Sequence, residues 1–202
     1  MRGLRIGLLL AAVAAVGFTI AAFTVIVDNR QTGPGQRSAG VASVGGPFTL
    51  LGTEGQAVTE TDLLGKPSAI FFGFTFCPEV CPTTLFELTS LAEQLGPDAD
   101  NLNFVFISVD ADRDGPEEMA LYLQAFDSRI IGLTGTPEQI EAAAKAFKIY
   151  YAKVPLDNGD YTMDHTASVL LMDAEGQFFG TMAYEEQMDV MLAKLKRLVN
   201  ER

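Results

Sequence analysis

The chain has 202 residues, with 14 Lys+Arg against 26 Asp+Glu, one histidine, two cysteines and a formal net charge of −12. That balance, with no basic run anywhere, sets nucleic acid aside, because phosphate binding relies on clustered Lys and Arg. A single histidine, His165, excludes a multi-histidine metal site and gives a Ser-His-Asp hydrolase only that residue to use, while two cysteines cannot build a multi-bridge disulfide scaffold or a four-cysteine zinc site. Redox chemistry, metal handling and binding remain. The length suits one globular domain with an accessory segment.

From Ile6 to Val27 the sequence carries no charge. As a helix it would extend about 33 Å, enough to cross a bilayer core of about 30 Å. Arg2 and Arg5 precede it, and Asp28 and Arg30 follow it, so the positive-inside bias places the N-terminus in the cytoplasm. Residues 1–27 are therefore expected to form a single-pass anchor in the inner (cytoplasmic) membrane, with everything beyond Val27 on the periplasmic side. A cleaved signal peptide is the alternative, although signal cores are usually shorter, at about 7–15 residues. Residues 28–46, with Asn29, Gly33, Pro34, Gly35, Ser38, Gly40, Ser43 and Gly45, read as a flexible linker. The folded domain is expected over 47–202.

Within it, strand and helix patterns alternate. Phe48 to Leu51 and Ala57-Val58 flank Glu54-Gly55, a hairpin pattern. Ser68 to Phe74 is a continuous apolar run, as expected of a strand buried on both faces. Leu85, Leu88, Leu91 and Leu95 have helical spacing and predict a helix over 81–95. A second buried strand fits 102–109, and a helix fits 117–126. Thr136-Pro137-Glu138-Gln139 supplies a cap, a first-turn proline and a reach-back glutamine, opening a helix that runs to Phe147. Strands at 149–154, 167–172 and 178–183 follow. A last helix uses Met188, Met191, Leu195, Leu198 and Val199 as its apolar stripe. This order predicts an α/β, thioredoxin-like fold with a central mixed sheet and flanking helices, preceded by the transmembrane helix.

The chemistry is concentrated in Phe76-Cys77-Pro78-Glu79-Val80-Cys81-Pro82, where the first buried strand gives way to a helix. A helix N-terminus favours thiolate, the form that attacks disulfides and binds soft metals. A thioredoxin-type site would have Cys-x-x-Cys, often after Trp, but here three residues intervene and the chain contains no Trp. A peroxiredoxin pattern is not matched before Cys77, where Ile70 and Phe74 stand. A structural disulfide closing so short a loop would constrain little. The spacing suits both metal binding and reversible disulfide formation and does not choose between them.

His165 lies in Tyr161-Thr162-Met163-Asp164-His165-Thr166 and is expected to begin the strand that follows, near the sheet end carrying the cysteines. A lone histidine is often only a surface or hydrogen-bonded structural residue. Two thiolates and an imidazole would instead form a soft site suited to Cu(I) and able to accept Cu(II), with zinc possible given a fourth ligand. Asp164 is the candidate carboxylate behind the imidazole, a solvated acid being the plainer reading. The acidic loop Asp110 to Asp114 lacks the glycine and terminal Glu of a calcium loop. It reads as a solvated turn capping the next helix, or else as a docking surface. The scattered methionines read as core or gap-filling residues.

Four segments occur together in order: 74–82 around the cysteines, Ser108-Val109-Asp110-Ala111-Asp112-Arg113-Asp114, Ile131-Gly132-Leu133-Thr134-Gly135, and Asp164-His165-Thr166. With the apolar N-terminus, this combination resembles the Sco/SenC family of membrane-anchored, thioredoxin-like copper proteins. Ala111 departs from it, standing where the family usually has Pro. The resemblance implies one copper ion per chain, held by Cys77, Cys81 and His165. It further implies delivery to, or redox preparation of, the binuclear copper site in subunit II of cytochrome c oxidase.

Two linked states are then expected. Reduced Cys77 and Cys81 hold copper with His165; oxidised, they form a Cys77–Cys81 disulfide and two ligands are lost. A copper donor and a thiol reductant are the implied partners. The expected role is a metallochaperone rather than a turnover enzyme. The alternatives are a thiol-disulfide oxidoreductase acting on the client's cysteines and a copper or redox sensor. A chaperone needs His165, whereas a dithiol reductase does not.

Overall fold

The computed structural model describes residues 43–200. The expected anchor and most of the expected linker lie outside these residues. Among the described residues no helix is long and apolar enough to cross a membrane. Residues 43–46 already join the domain: Val44 packs on the core and the Gly45 N–H donates to the Ala146 carbonyl at 3.0 Å.

The chain order is β1 (Thr49–Gly52), β2 (Ala57–Thr59), β3 (Ser68–Gly73), α1 (Val80–Leu95), β4 (Asn103–Ser108), α2 (Pro116–Leu123), β5 (Ile130–Thr134), α3 (Pro137–Phe147), β6 (Tyr151–Pro155), β7 (Tyr161–His165), β8 (Val169–Met172), β9 (Phe178–Met182) and α4 (Met188–Asn200). Seven strands form one sheet in the order β2-β1-β5-β4-β3-β8-β9. β3, β4 and β5 are mutually parallel, and the remaining pairings are antiparallel, so the sheet is mixed as expected. Helices on both faces complete the thioredoxin-like α/β fold.

Why β3 and β4 read as unbroken apolar runs is plain from their cover. Phe72 meets Phe147 of α3 on one face, at 5.6 Å between ring centroids. On the other face, Phe71 stacks on Phe106, which meets Tyr122 of α2. Phe71, Phe72, Phe104 and Phe106 are fully buried, each burial contributing about 1.5–3 kcal/mol. The cap of α3 is the box read from the sequence: Gln139 N–H donates to Thr136 Oγ1, and Thr136 N–H to Gln139 Oε1.

Two strands escaped the sequence reading. β5 has Gly132 at its centre, which interrupts the apolar run, yet a side chain there would meet Leu123 Cδ1 at 2.5 Å. Glycine is what lets α2 approach this strand. β7 is the second, and it relocates His165. That residue ends β7, in a two-stranded sheet with β6 separate from the main one, and does not begin β8. The strand expected at 149–154 accordingly pairs with β7 and not with the central sheet. The helix expected to reach Phe126 ends at Leu123.

Candidate metal centre

β3 delivers the chain to the site. After Gly73, a turn closed by Cys77 N–H to the Phe74 carbonyl leads into α1. Cys77 sits in this loop, partly exposed, and Cys81 in the first turn of α1, fully buried. The cysteines therefore do not share one helical face. They are joined by the Cys81 N–H, which donates to Cys77 Sγ at 3.3 Å. The first amides of a helix have no partner within it, and here a sulfur accepts from one of them. Gly73 makes room: a Cβ there would stand 2.7 Å from Cys81 Sγ and 2.8 Å from the Phe106 ring.

The imidazole comes from the far side. His165 Nε2 lies 3.5 Å from Cys81 Sγ, and Nδ1 lies 3.0 Å from the Thr166 carbonyl oxygen. A proton on Nδ1 donated to that carbonyl leaves the Nε2 lone pair for the sulfurs' side. Phe71 and Phe74 meet the ring edge-on, at 6.0 and 5.8 Å between centroids. Sγ of Cys77, Sγ of Cys81 and one nitrogen of His165 all lie within 4.8 Å of one another. That spread fits a single ion, given metal–sulfur bonds of about 2.3 Å and metal–nitrogen bonds of about 2.0 Å. Two sulfurs and an imidazole are soft donors, matched to Cu(I) before any hard cation.

The two thiols are unequal. The Cys77 thiol is drawn down to about 4, chiefly because the Cys81 thiol donates a hydrogen bond to its sulfur. Burial opposes this, and the imidazole and the Cys81 and Glu79 amides add to it. Cys81 is pushed far up, as the donor of that bond, buried and beside the Cys77 anion. Reduced, the pair holds one shared proton on the buried sulfur.

Asp164 does not take the place expected of it. It neighbours His165 on a strand, so the two side chains point to opposite sides, and Asp164 is exposed. The Thr166 carbonyl faces Nδ1 instead. The acidic loop is not a solvated turn either: Asp110 and Asp114 are buried. Asp114 accepts from Thr75 N–H at 2.9 Å, Thr75 Oγ1 at 2.6 Å and Ser108 Oγ at 2.6 Å, pinning the start of the cysteine loop. Burial raises its carboxyl, and these hydrogen bonds partly offset the rise. None of Gly73, Thr166 or Asp114 was read as part of the site from sequence. A lone glycine ending a buried strand was the available signal for the first.

Fold and site together define a thioredoxin-like protein with a dithiol–imidazole centre at the end of its sheet. The SCO1/SenC family model matches residues 36–200, and the chain belongs to that family. It is 39% identical over 142 residues to Protein SCO1 homolog 1, mitochondrial, of Arabidopsis thaliana, covering 70% of this chain but only 42% of that protein. Against Protein SenC of Rhodobacter capsulatus it is 37% identical over 165 residues, covering 81% of this chain and 75% of the other. The structure of Bradyrhizobium japonicum ScoI with copper bound superposes with a TM-score of 0.72 at 46% identity, covering 77% of this chain and 99% of that one.

Proposed function

We propose that this chain binds one copper ion through Cys77, Cys81 and His165 and serves the assembly of cytochrome c oxidase, supplying the binuclear copper site of subunit II. The observation that carries the reading is the convergence of three soft donor atoms within 4.8 Å. Family membership and the copper-bound relative support it. Copper here is cargo. Cys77 offers a ready thiolate, and Cys81 must lose its proton as copper arrives, so loading releases a proton and weakens in acid. The uncharged run Ile6 to Val27 would anchor the chain in the inner membrane with the domain in the periplasm, next to a membrane-bound client. A copper donor and a thiol reductant complete the cycle.

The inequality of the two thiols favours one second reading, a thiol-disulfide reductase acting on the client's cysteines. The accessible Cys77 thiolate would attack a client disulfide, forming a mixed disulfide and releasing one client thiolate. Cys81 would then attack the Cys77 sulfur, closing the Cys77–Cys81 disulfide and releasing the second client thiol. An external dithiol would restore the pair.

Anaerobic Cu(I) titration of the reduced full-length chain beside His165→Ala separates the two. One copper per chain, with affinity falling at least about tenfold in the mutant, supports the chaperone. Equal, weak binding in both, with disulfide reduction intact, would leave the reductase in its place.

A further inference from the structure

The hairpin that carries His165 is not hydrogen-bonded into the main sheet, so something else must hold the imidazole against the dithiol. We propose that Arg113 is the positioning residue for His165, clamping the β6–β7 hairpin to the cysteine loop.

Its guanidinium carbon lies 3.8 Å from the centroid of Tyr161, the first residue of β7, and 4.7 Å from that of Phe76, the neighbour of Cys77. One cation thus touches an aromatic ring on each ligand-bearing segment. Nη1 donates to the Tyr161 carbonyl at 3.0 Å, and Nε to Asp110 Oδ2 at 2.5 Å. The same Asp110 carboxylate accepts from the Tyr161 hydroxyl at 2.8 Å, closing a ring of contacts between loop and hairpin. Nη2 is buried with no hydrogen-bond acceptor among the described residues, and the aromatic rings form its surroundings. A buried pair of this kind is costly to break, because removing one partner strands the other. Two ion pairs join loop and hairpin: Arg113 Nη1 with Asp160 at 3.5 Å, whose carboxylate is more than half exposed, and Lys153 with Asp112, about half exposed on both sides. Such exposed pairs contribute little.

His165 is the only histidine, so a chain labelled at histidine gives one imidazole spectrum. The experiment uses the full-length chain in detergent, reduced and metal-free, with wild type, Arg113→Ala, Arg113→Lys and Lys153→Ala compared. In the wild type the adjacent rings of Phe71 and Phe74 hold the imidazole resonances away from free-histidine values. Arg113→Ala moves them toward those values or splits them. Arg113→Lys moves them the same way by less, and Lys153→Ala leaves them in place. Cu(I) affinity falls about 10–100-fold in Arg113→Ala, as for residues that orient a ligand.

Wild-type resonances in Arg113→Ala would overturn the clamp. If that variant does not fold, wild-type resonances in Arg113→Lys overturn it equally. The affinity arm rests on the copper reading, but the spectrum does not. A displaced imidazole in a chain that binds no copper defeats the copper reading and upholds the clamp. Copper bound through His165 with unmoved Arg113-variant resonances does the reverse.

Discussion

The two halves of the site stand on different supports. Cys77 and Cys81 follow β3, every residue of which is buried, and the strand is paired along its length with β4. His165 ends a hairpin whose facing strand is exposed over its last three residues and whose own buried residue is Met163 alone. The dithiol is set by the core, and the imidazole by a few long-range polar and aromatic contacts. Under the proposed delivery role, such a division would let one ligand move away without the sheet being disturbed. The strongest test is therefore to wound each support. Phe106→Ala, on β4 beside Phe71 of β3 and fully buried, is expected to cost about 3–5 kcal/mol in urea unfolding. Val154→Ala, on the hairpin and 40% exposed, is expected to stay within about 0.5 kcal/mol. Similar losses from both would show the hairpin to be part of the cooperative core.

The dithiol half can be sharpened by its chemistry. Cys77 is drawn from the ordinary thiol value of 9.0 to about 4, so its thiolate persists until the pH falls through that lower value. Its alkylation rate in the reduced, metal-free chain should be nearly flat between about pH 8 and pH 6, where an ordinary thiol slows about tenfold per unit. Cys81, buried and protonated, should remain unmodified throughout. A Cys77 rate that falls in step with proton concentration would mean that the shared proton does not sit on Cys81.

How much of this was written locally in the chain differs between the same two halves. β3, β4, α1 and α3 were legible because periodicity and capping are short-range signals, and the cysteines were legible because they stand at a strand-to-helix junction. β7 was not, because Tyr161 to His165 alternates polar and apolar residues against a single partner strand and has no core-type run. The burial of the acidic loop was hidden for a related reason. Besides their neighbours Ser108 and Arg113, Asp114 is satisfied by Thr75, 39 residues away, and Asp110 by Tyr161, 51 residues away, and these long-range partners are not visible within a short window. His165 was found by elimination as the only histidine, but its mounting could be seen only once the hairpin was in place.

The smallest expected effect concerns the side of the imidazole that faces away from the sulfurs. Proximity in sequence makes Asp164 the natural candidate for holding Nδ1, and strand geometry removes it, since adjacent residues project to opposite sides. The Thr166 carbonyl, 3.0 Å from Nδ1, is a backbone group that no side-chain substitution deletes. A backbone acceptor also carries no full charge, so it fixes the ring's orientation with less pull on its proton than a carboxylate would exert. Asp164→Asn should accordingly leave Cu(I) affinity within about twofold of wild type and stability within about 0.5 kcal/mol, as for other exposed positions. A loss of about tenfold or more in affinity would place a carboxylate behind His165 in the loaded protein and require the hairpin to twist as copper binds.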